Sequence, residues 1–151
     1  MSQPLVVKNR IIIHTPVAKV WNALTNPEET KKYMFGCEAL SEWTVGSPLV
    51  WKGNFNGVEL VAVKGNIVDI HPGTYLAYTT FDPNSALPDV PENYVTVTYT
   101  LTSSGGDTIF DVTQGDFSTV ADGERRYTET YNGGEGWNPI LQEIKKLVEA
   151  E

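Results

Sequence analysis

The hydrophobic period of this chain changes twice along its length, and this limits the folds open to it. Val17, Val20, Trp21 and Leu24 recur at helical spacing, so they share one face of a helix. The middle of the chain alternates apolar and polar residues, which is typical of half-buried antiparallel strands. The C-terminus then returns to the helical period. An antiparallel sheet between helical segments is therefore expected.

Two helix starts follow the first predicted strand. Residues 5–14 are rich in valine and isoleucine, which favours a strand. Thr15 offers a helix cap followed by a proline, and Asn26 repeats this signal with two acids behind it. The pattern predicts short consecutive helices at about residues 16–25 and 27–33.

A hairpin is predicted at Asn56-Gly57, because both positions of a tight two-residue turn need a positive φ. Trp51 and Phe55 then share the inward face of the sheet. Counting from the turn gives the opposed pairs Phe55 with Val58, Gly53 with Leu60, and Trp51 with Ala62. Further strands are expected at residues 65–70, 74–81, 94–102 and 108–114.

The C-terminal segment carries an apolar stripe at helical spacing: Trp137, Ile140, Leu141, Ile144, Leu147 and Val148. Its beginning is open to two interpretations because Pro139 and several glycines precede the stripe. Either Asn138 caps a helix that starts at Pro139, or a longer helix from about Asp122 is kinked there. We favour the second interpretation.

Composition restricts the function. The 151 residues, of 16.7 kDa, suit one domain over residues 1–151. A net charge of -8 argues against binding to nucleic acid or to an anionic membrane. No apolar run approaches the ~20 residues of a membrane helix. The first ten residues lack a signal-peptide pattern, so a cytoplasmic location is expected.

Four segments carry a family resemblance: residues 15–28, 43–46, 65–72 and 136–141. Through them the chain resembles the START-like (SRPBCC, Bet v 1-like) superfamily, and within it the activator of heat-shock-protein-90 ATPase-like domain. The resemblance implies an α+β helix-grip fold, in which a curved antiparallel sheet of six to seven strands surrounds a long C-terminal helix. Pro139 and the glycines before it depart from the family pattern. Members include lipid carriers, cyclases, aromatases and co-chaperone domains.

The resemblance also implies a cavity between the sheet and the C-terminal helix, and the aromatic residues are the natural candidates to line it. Aromatic side chains also fill ordinary cores, so a plain core is the alternative. The proline-rich loop at residues 82–93 is long enough to cover a cavity mouth. The expected lining residues are Trp51, Phe55, Tyr78, Tyr94, Trp137, Leu141 and Ile144, with Leu87 and Val90 at the mouth.

Other reactive residue types have structural explanations. His14 and His71 lie at a strand end and a turn, and Cys37 lies beside an acid, which disfavours a thiolate. The carboxylates Asp69, Asp82, Glu92, Asp111 and Asp116 are expected on a solvated surface. Residues 133–136 do not match a phosphate loop. We therefore predict no catalytic residue, no metal site and no cofactor.

Three functions remain. The leading hypothesis is binding of a hydrophobic or amphipathic small molecule in the cavity. The alternative is a co-chaperone-like interaction with a protein partner, a chaperone. The third is a cyclase, aromatase or hydrolase in the same cavity, for which Lys64 is the nearest inward candidate if the hairpin register holds. A bulge would turn Lys64 outward, which is the expectation we favour.

Overall fold

A computed structural model describes residues 4–150, which form one seven-stranded antiparallel sheet and four α-helices. The strands are β1 Val7–Ile13, β2 Glu38–Ser41, β3 Pro48–Phe55, β4 Val58–His71, β5 Tyr75–Thr80, β6 Val95–Ser104 and β7 Asp107–Gly115. The helices are α1 Val17–Thr25, α2 Pro27–Tyr33, α3 Gly123–Tyr131 and α4 Asn138–Glu149. The strand order is β1-β7-β6-β5-β4-β3-β2. This arrangement is the expected α+β helix-grip fold.

The hairpin between β3 and β4 forms at the predicted turn. Asn56 and Gly57 have φ values of 54° and 82°, as a tight two-residue turn requires. The two pairs nearest the turn are confirmed. The third is wrong, because a register shift after Trp51 places that residue opposite Val63 and not Ala62. A β-bulge of this kind inserts one extra residue and has no clear signal in the sequence.

The middle of the sheet differs from the prediction in two further ways. Residues 58–62 and 65–70, expected as separate strands, belong to the single long strand β4. Gly65 allows this continuity, because a Cβ atom there would lie only 1.7 Å from the backbone oxygen of Thr79 on β5. The four-residue edge strand β2 was not predicted. It is held by α2, where the hydroxyl of Thr30 accepts a hydrogen bond from the backbone N–H of Ala39.

The C-terminal segment forms two helices, not the kinked helix that we favoured. α3 ends before Asn132, which has a φ of 50°, and α4 begins at Asn138. Gly133, Gly134 and Gly136 between them also have positive φ. Left-handed backbone at so many positions ends the first helix completely. The expected start near Asp122 is correct for α3. The other interpretation, a helix that starts at Pro139, is within one residue of the observed start of α4, but Asn138 is the first helical residue and not the cap.

A row of four buried aromatic rings crosses the interior from β3 to the start of α4. Trp51 lies 6.3 Å from Tyr78, Tyr78 lies 5.4 Å from Tyr99, and Tyr99 lies 5.9 Å from Trp137. The hydroxyls of Tyr78 and Tyr99 are 2.6 Å apart and hydrogen-bond to each other. Desolvation raises the pKa of both phenols, so they are neutral donors and acceptors at ordinary pH.

The two tyrosine hydroxyls should be energetically coupled. Tyr78→Phe and Tyr99→Phe each leave the other hydroxyl without its partner, so each should lower the free energy of unfolding by about 1–3 kcal/mol. The double variant removes both polar groups and should cost less than the sum of the single changes. Urea denaturation of the four proteins measures this coupling. Strictly additive losses would mean that the hydrogen bond contributes nothing to the core.

Candidate functional site

A cavity of about 900 Å³ lies against the inner face of the sheet, on the side covered by α3. Strands β3, β4 and β5 supply one wall, and the loop after α2 and the loop after β5 supply the rim. α3 and the segment that joins it to α4 close the opposite side. The cavity therefore occupies the space where the chain has two short helices in place of one long helix.

Five of the predicted residues line this cavity: Trp51, Phe55, Tyr78, Trp137 and Leu87. Trp51, Tyr78 and Trp137 are largely buried, with 5%, 2% and 8% of each residue exposed. Phe35, which we did not predict, also lines the cavity and is 78% exposed. The cavity therefore extends from the buried aromatic row to the solvent.

The other four predicted residues do not line the cavity. Leu141 and Ile144 are buried in the core, because α4 packs against β1, α1 and α2, away from the cavity. Only the first turn of α4 reaches the cavity, through Pro139 and Ile140. Tyr94 stacks on Phe81 at 5.0 Å. The cavity therefore lies at the N-terminal end of α4, and not beside the middle of that helix as we expected.

The two residues expected at the cavity mouth, Leu87 and Val90, differ in where they lie. Leu87 is half-buried and turns into the cavity, whereas Val90 is exposed and is absent from the lining. The loop that carries both is tied down by its polar side chains. The amide of Asn84 donates to the backbone oxygen of Val61 at 2.9 Å, and the amide of Asn93 donates to the backbone oxygen of Pro88 at 2.9 Å.

Lys64 does not line the cavity, in agreement with our expectation that its side chain is turned outward. Its ammonium group bonds the carboxylate of Asp89, which also accepts a hydrogen bond from the Tyr94 hydroxyl at 2.6 Å. This hydrogen bond, donated by Lys64, lowers the pKa of Asp89 and raises the pKa of Lys64. This cluster anchors the loop to β4. Lys64, the nearest candidate for an inward catalytic group, therefore anchors the loop.

Trp137 is fixed by two side chains of the sheet. Its backbone N–H donates to Asn9 Oδ1 at 2.9 Å, and its indole Nε1–H donates to Gln114 Oε1 at 2.8 Å. Gly136 makes this approach possible, because a Cβ there would lie 2.3 Å from Asn9 Oδ1. The amide of Asn9 also donates to the backbone oxygen of Glu135 at 3.1 Å. These contacts hold one aromatic wall of the cavity in place.

The charged residues on α3 were missed by the sequence reasoning. Arg125, Arg126 and Glu129 all line the cavity. Arg125 bonds Asp122 and also Glu129, the latter at 2.8 Å. Arg126 is half-buried and donates from Nη1 to the backbone oxygen of Ala121 at 3.3 Å. Burial lowers the pKa of its guanidinium from the ordinary value.

The histidines lie at the surface, as expected. His14 Nδ1 is 3.4 Å from Asp107 and His71 Nε2 is 3.3 Å from Asp69, and about two-thirds of each imidazole side chain is exposed. Residues 4–150 contain no group of three side chains placed to hold a metal ion. No helix in the same range has both the length and the apolar character needed to cross a bilayer.

The folded sheet, the two C-terminal helices and the cavity between them define a helix-grip domain of the START-like class. The chain belongs to the family of the Activator of Hsp90 ATPase homolog 1-like protein, whose model matches residues 14–149. No protein with a curated description is similar enough to count as a match.

Solved structures share this fold over nearly the whole chain. The solution structure of a Cytophaga hutchinsonii protein is 36% identical, with a TM-score of 0.77, and the alignment covers 99% of this chain and 97% of that one. The Aha1 dimer from Colwellia psychrerythraea is 19% identical, with a TM-score of 0.66 and coverage of 95% and 96%. An HSP90 activator from Plasmodium falciparum is 16% identical, with a TM-score of 0.67 and the same coverage.

The thiol of Cys37 should report on the interior of the cavity. Cys37 is buried, lines the cavity, and has its pKa raised by desolvation. At pH 8 it should react with Ellman's reagent at least about tenfold more slowly than in the urea-unfolded chain. Its rate should keep rising at pH values where the rate of the unfolded chain has levelled off, about one unit above the ordinary thiol pKa of about 8.5. Equal rates in the two states would contradict the buried placement.

Proposed function

We propose that this domain binds an apolar or amphipathic small molecule in the cavity. The observation that carries the proposal is a space of about 900 Å³ that runs from three buried aromatic rings to an exposed one. Ligand sites are typically concave, about 300–1,000 Å³ in volume and lined mainly by apolar and aromatic groups. This cavity has both properties.

The energetic basis of binding is the removal of apolar surface from water, at roughly 25 cal/mol per Å². Trp51, Phe55 and Trp137 supply broad ring surfaces for this purpose. Trp137 is already held by Asn9 and Gln114, so little freedom is lost when a guest packs against it. A wall ordered in advance reduces the entropy cost of binding.

Uptake of a neutral apolar dye tests this function. We expect N-phenyl-1-naphthylamine to gain fluorescence with the wild-type protein. Trp51→Ala and Trp137→Ala should weaken binding by about tenfold, because each removes a ring worth roughly 1.5 kcal/mol or more of contact. Ala62→Phe should also weaken binding, because Ala62 lines the cavity and a larger side chain fills it. Titrations of the dye give the affinities.

The matched control is Val68→Ala, which removes an exposed apolar side chain of β4 that is absent from the cavity lining. It should leave dye binding unchanged. Circular dichroism confirms that each variant is folded. If the folded wild-type protein binds neither this dye nor any fatty acid or fatty alcohol, cavity binding is ruled out.

A second candidate is stimulation of an HSP90 ATPase, which is favoured by the family match and by the names of two structural neighbours. Such a role needs an outward surface that contacts the chaperone, so it makes a separable prediction. HSP90 mixed with an excess of this protein should hydrolyse ATP several-fold faster, and Ala62→Phe should retain the stimulation. A steady-state phosphate-release assay measures this. No acceleration by a folded protein would exclude the second candidate.

A further inference from the structure

Arg126 brings a positive charge to a cavity that is otherwise largely apolar. Resting on the proposed function, we propose that the guest is an anionic amphiphile with a carboxylate head, and that Arg126 binds the carboxylate while the apolar part lies against the aromatic wall. The inference thus names the chemical class of the ligand.

The charges around the cavity leave Arg126 available. Arg125 is occupied by Asp122 and Glu129, and that pairing also occupies the Glu129 carboxylate. Asp82 at the rim is exposed, and its Oδ1 accepts a hydrogen bond from the backbone N–H of Asn84 at 2.8 Å. Within residues 4–150, Arg126 makes no ion pair with a carboxylate, and the single hydrogen bond of its side chain is to a backbone oxygen.

The nearest charges to Arg126 oppose each other. Burial has the largest effect and disfavours the charged guanidinium. Asp122 favours the charged form, and Arg125 disfavours it. Arg126 is therefore a partly desolvated cation without a dedicated counter-ion among the described residues. A carboxylate brought in by a guest restores the missing partner and gains more from the interaction than it would in water.

The chemistry of arginine selects the head group. A guanidinium has five N–H donors in a planar fork that matches the two oxygens of a carboxylate. The bond to Ala121 uses one nitrogen, Nη1, and leaves further donors for a guest. An amine head group would meet a like charge, and a plain hydrocarbon would leave the guanidinium partly desolvated without a partner. A carboxylate with an apolar tail is complementary to both parts of the lining.

Decanoate and decan-1-ol provide a matched pair of probes, because they share the same chain length and differ in the head group. Their affinities are measured by displacement of N-phenyl-1-naphthylamine at pH 7.5. The wild-type protein should bind decanoate about tenfold more tightly, the range expected of one partly exposed charge-assisted contact. Arg126→Gln should remove that preference and change the affinity for decan-1-ol by less than about twofold.

Two further variants separate charge from structure. Lys146→Gln removes one positive charge from the exposed face of α4, and it should keep the tenfold preference. Arg126→Lys retains the charge but not the fork, so it should keep part of the preference. Because Arg126→Lys is the milder change, it also tests the inference if the glutamine variant fails to fold.

The outcomes separate this inference from the proposed function. Equal affinity of the wild-type protein for both probes would overturn the carboxylate assignment and leave cavity binding intact. Equal losses of both probes in Arg126→Gln would also overturn it, because they would show a structural role. Failure of the folded wild-type protein to bind either probe or the dye would instead defeat the proposed function.

Discussion

The left-handed backbone between α3 and α4 is the constraint on which the site depends. Four residues of the segment between the helices have positive φ, so the helix cannot continue and α3 leaves the axis of α4. An unbroken helix would lay one apolar stripe along the sheet. Here the stripe of α4 fills one end of the core, and the more polar α3, which has no buried residue, covers the other end. The space beneath α3 is the cavity.

Trp137 connects the filled end of the interior to the hollow end. It ends the aromatic row, and Asn9 and Gln114 hold its backbone and its indole. The same ring therefore packs against the core on one side and faces the cavity on the other. Anchoring by two polar side chains is well suited to such a position, since a ring beside open space lacks the packing that fixes a fully buried side chain.

Local signals predicted much of this structure and distant contacts explain the rest. The Asn56-Gly57 turn, the two N-terminal helices and the apolar stripe of α4 follow from nearby residues alone. The bulge beside Trp51 and the partnership of Asn9 with Trp137, 128 positions apart, depend on contacts that no sequence spacing reveals. Leu141 and Ile144 belong to the apolar stripe, as predicted. Whether the stripe faces the core or the cavity depends on how α4 packs on the sheet, which the spacing of residues does not reveal.

The placement of charge explains why a carboxylate suits this cavity although the protein is strongly acidic. The net charge of -8 disfavours anions at long range, but screening limits that effect to about 10 Å at 0.1 M salt. The two described acids that line the cavity are already bonded, Glu129 to Arg125 and Asp82 to a backbone N–H. Arg126 is the cavity-lining cation left without a carboxylate partner, so the charge offered to the head group of the proposed guest is opposite in sign to the net charge of the protein.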